Sequence, residues 1–566
     1  MTFDERAATA GRRVLAPSMA GYQRTWLGRD VRAGLVLTAL LVPQGMAYAE
    51  LAGLPPVTGL YTSILCLLGY ALVGPSRVLV LGPDSALGPM IAATTLPLVG
   101  AHGDPARAVL LASALAIVTG LLMLGAGLAR WGYVADLLSA PTILGFMTGL
   151  ALTIFVGQLP KLLGFKVSAD TFLQEVVATV RGILDGEVVS AAAAIGIFSF
   201  VLILLLARFF PRLPSVLIAV VIAMVISEVS DLASRGVKVI GPLPQGLPAF
   251  HVPLLEVGDL SPVVVGAFGI ALVALADTIS TATSFAARTG DTVDGNREMI
   301  GIGVANISAG LFHGFPVSTS GSRTAVAQST GARTQLTGVV GAIVIALMLV
   351  AFPSLLAPLP QPTLAAIVIA AALSLADIPA TRRLVSQSRS DFLVFLAAFL
   401  GVTLLGVLPG IVIAVVVSVM TVFRQIWRPY STTLVRVADV PGMHDRASHP
   451  DAAFIAGCPV FRFDAPLIFA NAPTFRHEVL ALAAQSPAPR WIVVAAEPIN
   501  AIDITAVDML VDLVGELEAG GTSLHFAELK SRVRADAERM GLARVMDADH
   551  FHPLVDDAMD DFARLP

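Results

Sequence analysis

The chain reads as a multi-span α-helical membrane protein that ends in a small α/β domain. Three observations predict this class. Of its 566 residues, 56% are hydrophobic and only 14% charged, with a mean hydropathy of +0.80, whereas soluble domains carry about 25% charged residues. Apolar segments of spanning length, about 17–25 residues, recur from Ala33 onward. Beyond Cys458 the pattern changes to short strand-like runs alternating with amphipathic helices.

The elements follow in order. Residues 1–32 hold six arginines and no apolar core of signal length, so this segment is expected to stay cytoplasmic. Twelve apolar spans are predicted at 33–53, 58–75, 106–128, 133–159, 189–208, 214–233, 262–286, 298–312, 335–352, 363–376, 391–406 and 409–426. Two shorter, interrupted ones at 83–99 and 319–331 bring the total to fourteen within a 33–428 transport domain. Ser168–Glu187, between spans five and six, reads as an interfacial amphipathic helix. An even number of spans puts both termini on one side. Arg130, Arg208, Arg212, Arg288, Arg297, Arg382, Arg383, Arg389, Arg424 and Arg428 then share the side of the Arg-rich N-terminus, which is cytoplasmic by the positive-inside rule. Lys161, Lys166, Arg235 and Lys238 fall on the other side.

The remainder, 429–566, is a linker and soluble domain. It holds 11 Lys and Arg against 20 Asp and Glu, net −9, while the preceding part holds 25 against 21, net +4. Strands are predicted at Cys458–Ala465, Pro466–Asn471, Arg490–Ala496 and Thr522–Glu528, with helices at Ala472–Ala484, Ile504–Ala519 and Ser531–Gly541.

The interrupted spans carry the functional signal. Phe312–Gln335 is dense in Gly, Ser, Thr and Pro amid apolar segments and contains one arginine. Pro316–Ser318 reads as extended, and Gly321 onward as a helix with Arg323 in its first turn. Val78–Ala93 is analogous: an apolar run, then Gly82-Pro83-Asp84-Ser85, then a short helix with Pro83 at its first position. Each is the third span of a seven-span half, and paired interruptions of this kind point to a transporter's substrate site. Non-helical backbone at that depth survives only inside protein or beside a wet cavity. Two half-helix N-termini aimed at one midplane cavity favour a small anion. The bland alternative is small-residue packing between helices. An arginine at membrane depth argues against it.

At these residues a resemblance emerges. Pro43–Ala49 and Leu51–Tyr61 (PQGMAYA, LAGLPPVTGLY) are similar to the first-to-second-span signature of the SulP sulfate permease family. Asn306-Ile307, Gly310, Gly314–Val317, Ser322–Ala325 and Thr334-Gln335 resemble its ninth-to-tenth-span signature, and the tail resembles a STAS domain. The resemblance implies two inverted seven-span repeats divided into core and gate domains, with substrate held between spans one, three, eight and ten. It also implies elevator-like alternating access, a small anion substrate (sulfate, bicarbonate, chloride, oxalate or a dicarboxylate) and a homodimer in the bacterial plasma membrane. Of partners it implies a regulatory protein or nucleotide at the STAS domain, besides the bilayer and a coupling H+ or Na+.

The expected substrate residues are Gln44, Tyr48, Ser85, Ser320, Gly321, Ser322 and Arg323. Gln44 and Tyr48 lie four apart and share one helix face. For them a helix–helix hydrogen bond is the alternative role. Some bacterial members of the family carry a carboxylate where Gln44 stands, so proton coupling through span one is not expected. Asp277, alone among the charged types deep in span eight, is the candidate for the coupling cation, H+ or Na+, with Thr278 or Thr281 beside it. Its alternative role is a structural partner of Arg323. Asp84 reads as a helix cap or a second coupling carboxylate, because it would repel an anion. His313 and Cys66 read as packing residues. In the tail, Thr505 is the candidate phosphosite or a helix cap.

Several classes are excluded. No Gly-Lys dipeptide occurs, so there is no P-loop for an ATP-driven pump. Nine histidines and two cysteines show no metal-ligand or nucleophile spacing, so neither an enzyme nor a bound cofactor or metal is expected. Nothing suggests nucleic-acid binding. A secondary active anion transporter leads, sulfate first. An uncoupled anion channel or STAS-linked sensor is the alternative, against which the buried acid at 277 speaks.

Overall fold

The computed structural model describes residues 16–100, 103–132, 139–167, 169, 171–210, 213–289, 293–437, 440–452 and 455–565. Residues 1–15, the expected start of span five at 133–138, Ser168 and Arg212 lie outside them. Among the described residues the chain forms two compact units, the first ending at Ser418 and the second beginning at Val419.

Fourteen helices, the last of them continuing past Ser418 into the second unit, stand where the sequence predicts spans: Leu27–Leu51, Pro56–Val73, Gly88–Val99, Pro105–Leu128, Ala140–Leu163, Ser190–Phe209, Ser215–Val229, Val257–Thr289, Gly295–Gly310, Gly321–Ser329, Leu336–Ala351, Gln361–Leu375, Arg389–Leu405 and Val407–Trp427. They are numbered here as spans one to fourteen. Eight helical stretches among the described residues are long and apolar enough to cross a bilayer by themselves. Span one begins at Leu27, inside the segment expected to be free. Asp30 there is fully buried and accepts hydrogen bonds from the Arg333 and Thr334 N–H groups at 2.6 and 3.3 Å. It thereby satisfies donors ahead of span eleven. The helix at Phe172–Leu184 leaves Leu173, Val177, Val180 and Leu184 exposed on one side, as an interfacial helix should. A second short helix of this kind, Ile378–Gln387, was not foreseen.

The spans sort into two groups. Span nine packs on spans two and four, span eleven on spans one and two, and span eight on spans three and four. In the other group span five packs on spans twelve and thirteen, span twelve on span six, and span six on span seven. Adding seven to each number maps the pair two–eleven onto nine–four, and one–eleven onto eight–four, the signature of a repeat. Glycines set how closely the first group packs. A Cβ on Gly59 of span two would lie 1.9 Å from the Gly45 carbonyl oxygen of span one, and a Cβ on Gly120 of span four 2.6 Å from the Gly303 oxygen of span nine. Small residues that admit backbone to backbone are the usual means of helix association in lipid.

Two strands of two residues each, β1 (Leu81–Gly82) and β2 (Ser318–Thr319), lie in the first unit, and the second unit carries a six-stranded sheet. Its strands are β3 (Ser431–Arg436), β4 (Met443–Asp445), β5 (Val460–Phe463), β6 (Trp491–Ala495), β7 (Ser523–Ala527) and β8 (Phe551–His552), in the order β4-β3-β5-β6-β7-β8. β5 to β8 run parallel and β3 pairs antiparallel to β5. Phe461, Phe463, Phe475, Val494 and Leu510 fill one face of the sheet, and Cys458, Val460, Val493 and Met559 the other. Pro466–Asn471 is not the expected strand. Leu467 makes a single bridge to Ile502, and Asn471 turns the chain by accepting the Ile468 N–H at 2.9 Å. β3 and β4 lie in what the sequence assigns to linker, because a Ser/Thr-rich run shows little alternation of apolar residues.

Burial, with His550 and His552 beside it, pushes the His525 imidazole down to about 3, from an ordinary 6.5. The ring stacks on Trp491 at 3.6 Å. Protons then bind the unfolded chain more readily than the folded one between these values, so this domain loses stability as pH falls below about 6.5. The protection factor of β7 amides in the full chain, taken against the intrinsic exchange rate at each pH, should fall on acidification, and His525→Phe should flatten that dependence. For the first unit, Gly59→Ala should lower the melting temperature in detergent by several degrees. Gly125→Ala, whose Cβ meets nothing within 4 Å, should raise stability by roughly 0.5–1 kcal/mol.

Candidate functional site

Spans three and ten are each preceded by a two-residue strand, β1 (Leu81–Gly82) and β2 (Ser318–Thr319), and the two strands pair antiparallel, Leu81 opposite Thr319 and Gly82 opposite Ser318. Both segments are buried, so every peptide group near the crossing needs a partner. The Thr324 hydroxyl accepts the Val80 N–H at 3.1 Å, and the Val80 carbonyl accepts the Ser320 N–H at 3.1 Å. Asn306 of span nine clamps Val317 on both sides, its Oδ1 accepting the N–H at 2.9 Å and its Nδ2 donating to the carbonyl at 3.2 Å. The Thr62 hydroxyl accepts the Phe315 N–H at 3.1 Å, and Ser113 donates to the Gly314 carbonyl at 3.1 Å.

The helices beyond the strands start differently. Span ten starts at Gly321 with Ser320 as its cap, accepting the Arg323 N–H at 3.4 Å. Span three starts at Gly88, five residues later than Pro83. Asp84 first closes a turn by accepting the Ala86 N–H at 2.9 Å, and Pro89 then takes the place in the first helical turn where no N–H is needed.

A cavity of about 510 Å³ lies in front of the crossing. Of the residues expected to hold substrate, it is lined by Gln44, Tyr48, Ser85, Ser320, Gly321 and Ser322, together with Asp84 and Asp277. Its opposite wall comes from the second helix group, with Thr142, Phe146 and Met147 of span five and Ser374 of span twelve. The cavity thus sits at the boundary of the two groups. Asp277 is reached by the Thr319 hydroxyl, 3.4 Å from its Oδ2, and the same hydroxyl lies 3.3 Å from that of Thr278. Thr281 is buried behind Gly321 and outside the lining.

Arg323 also stands behind the cavity wall. Its side chain is 1% exposed, its Nη1 donates to the Pro83 carbonyl at 2.6 Å, and its Nη2 lies 4.0 Å from Asp84 Oδ2. Its Nε and Nη2 have no hydrogen-bond partner among the described residues. The carboxylate within ion-pair distance is therefore that of Asp84 and not, as the alternative role of Asp277 supposed, that of span eight. Gly82 makes room for the guanidinium, since a Cβ there would meet Nη1 at 3.3 Å.

Sequence reasoning missed the supports. Asn306, Thr62, Thr324 and Asp30 are buried polar side chains in apolar surroundings, which was the available signal. Another buried network joins Glu298 to the hydroxyls of Tyr70, at 2.7 Å, and Ser76. His313 adopts a positive φ of 60° and stacks on His251 at 5.2 Å, while Cys66 is buried. In the second unit the cap of the Ile504–Ala519 helix is Asp503, which accepts the Ala506 N–H at 2.8 Å, so Thr505 is an exposed first-turn residue rather than the cap.

Two helix groups enclosing one polar cavity at a crossing of half-helices define a membrane carrier for a small solute. The chain belongs to the sulfate permease family, whose pattern it matches over residues 27–398, and carries a STAS domain at 449–558. It is 39% identical over 544 residues to a probable sulfate transporter of Mycobacterium tuberculosis, covering 96% of each chain. It is 34% identical over 471 residues to the human solute carrier family 26 member 6, covering 79% of this chain and 62% of that one. Its fold matches a murine solute carrier 26 family member A9 anion transporter in the inward-facing state, with a TM-score of 0.90, 23% identity, and 100% and 96% of the two chains covered. The transmembrane domain of a cyanobacterial bicarbonate transporter matches with a TM-score of 0.60, 22% identity, and 70% and 97% covered. The protein is thus a multi-pass anion transporter and not an enzyme.

Removing the clamp on β2 should loosen the site. Asn306→Leu leaves the Val317 N–H and carbonyl buried without partners, at about 2 kcal/mol or more. A lower melting temperature in detergent, together with loss of anion binding, is expected.

Proposed function

We propose that the protein is a secondary active transporter that carries sulfate across a bacterial plasma membrane, with both termini cytoplasmic, driven by a proton gradient. The observation that carries this reading is the cavity in front of the β1–β2 crossing, at the boundary of the two helix groups. There the turn Asp84–Ala86 ahead of span three, the start of span ten at Gly321, the hydroxyl residues Tyr48, Ser85, Ser280, Thr319, Ser320 and Ser322 and the carboxylate of Asp277 converge. Hydroxyls and free N–H groups at helix starts suit a tetrahedral oxyanion. Residence at the boundary supports alternating access by movement of the first group, with its bound anion, against the second. The mycobacterial relative favours sulfate among the family's anions. The clustering of arginines on one side supports the orientation.

Asp277 is read as the coupling group, and the coupling ion as a proton. A bound anion beside an ionised carboxylate would be repelled, and a proton on Asp277 removes that repulsion without needing a coordination shell. The test is uptake of radiolabelled sulfate and bicarbonate into proteoliposomes under an imposed proton or Na+ gradient. Sulfate should accumulate with the proton gradient. Asp277→Asn should reduce gradient-driven uptake to below about a tenth while leaving the protein folded and able to bind sulfate. Accumulation following Na+ would replace the ion, bicarbonate uptake alone would replace the substrate, and flux independent of any gradient would mark a channel.

A further inference from the structure

The charges around the cavity do not balance for an anion. Among the described residues the carboxylates lining it are those of Asp84 and Asp277, and no lysine or arginine lines it. The nearest cation, Arg323, stands behind the wall with two of its guanidinium nitrogens unpartnered and its Nη2 4.0 Å from Asp84. At that distance in a water-poor site the two opposite charges largely cancel as seen from the cavity. An anion then meets the net field of Asp277 alone, which is negative.

We propose that Asp84 is a second proton-binding group, and that its protonation switches the field of Arg323 on in the cavity. With Asp84 ionised, Arg323 is neutralised and the anion has no positive charge to bind. With Asp84 protonated, the guanidinium charge is uncompensated a few ångströms behind the half-helix starts, and the anion becomes its counter-ion. Proton and anion therefore bind together. The inference rests on the proposed anion site but not on the role given to Asp277.

Local structure supports the assignment. Asp84 Oδ1 is occupied by the Ala86 N–H, leaving Oδ2 toward Arg323 as the oxygen free to take the proton. The groups facing Asp84 from neighbouring spans are the Tyr48 phenol of span one, Asp277 of span eight and Arg323 of span ten. Span four's titratable residue, Arg107, is held beside Leu98 at the far end of span three by Glu256 and Asp259. Arg323 is thus the cation that Asp84 can mask.

The test is equilibrium binding of radiolabelled sulfate to the purified full chain as a function of pH, with proton uptake per bound sulfate measured in weak buffer. Each proton taken up with the anion contributes about a tenfold loss of affinity per pH unit on the alkaline side. Asp84→Asn keeps the oxygen that caps the turn and mimics the protonated state. It should bind sulfate on the alkaline side more tightly than the native chain, with a slope smaller by about tenfold per pH unit and one proton fewer per sulfate. Asp84→Glu, which still titrates, should keep the slope. Arg323→Gln added to Asp84→Asn should remove the affinity that Asp84→Asn gains, because no guanidinium is then left to act on the anion from behind the wall. Native slope and proton count in Asp84→Asn would overturn the proposal. Should that variant fail to fold, the Asp277→Asn chain decides: one proton per sulfate is expected, and none would overturn it. Failure of the Asp277 reading shows separately, as gradient-driven uptake that survives Asp277→Asn.

Discussion

The crossing of β1 and β2 is the constraint on which the rest of this molecule depends. Two stretches of extended backbone lie inside a helical membrane domain, where an unpaired peptide group carries a penalty of several kcal/mol. The chain meets it with two backbone pairs and a ring of side-chain partners. Asn306 clamps Val317, Thr324 takes the Val80 N–H, and Thr62 takes the Phe315 N–H. These partners come from spans two, nine and ten, so the crossing can form only when the first helix group has assembled. The same dependence explains why that group packs through glycines. Span two must come close enough to span one for Gly59 to touch the Gly45 carbonyl, and Thr62, one turn further along, then reaches the crossing.

This arrangement also fixes the electrostatics of the cavity. Because β1 and β2 are bound to each other, the turn Asp84–Ala86 ahead of span three and the start of span ten open on one space. Arg323 is drawn under the wall by its bond to the Pro83 carbonyl. The polar side chains that line the cavity are therefore hydroxyls, an amide, a phenol and two carboxylates, and the guanidinium stands behind them. On the proposed reading the anion is held by dipoles and by the field of Arg323 acting from behind the wall, and its affinity follows the ionisation of Asp84 and Asp277. The second helix group contributes mainly apolar side chains to its face of the cavity, such as Phe146 and Met147.

The soluble unit follows different rules. Its sheet is covered on both faces, with a phenylalanine-rich cluster on one and Cys458, Val493 and Met559 on the other. The parallel strands β5 to β7 consequently read as near-continuous apolar runs, which makes them easy to find. β3 and β4 stand at one edge of the sheet, where a strand needs fewer buried residues, and β8 contributes only two residues at the other.

The sequence by itself determined the membrane class, the fourteen spans, the two interrupted ones and the list of polar residues near them. Hydropathy and glycine or proline placement are local properties, and local rules read them. Gln44, Tyr48, Ser85, Ser320 and Asp277 could be named as neighbours because helix spacing and a family pattern tie each to its own span. Only the tertiary structure decided that Arg323 faces Asp84 instead of the cavity, that span one begins at Leu27 with Asp30 capping a helix some three hundred residues away, and that Asn306 holds β2. Each of these is a pairing between distant segments, set by which polar groups remain unsatisfied once the helices have packed.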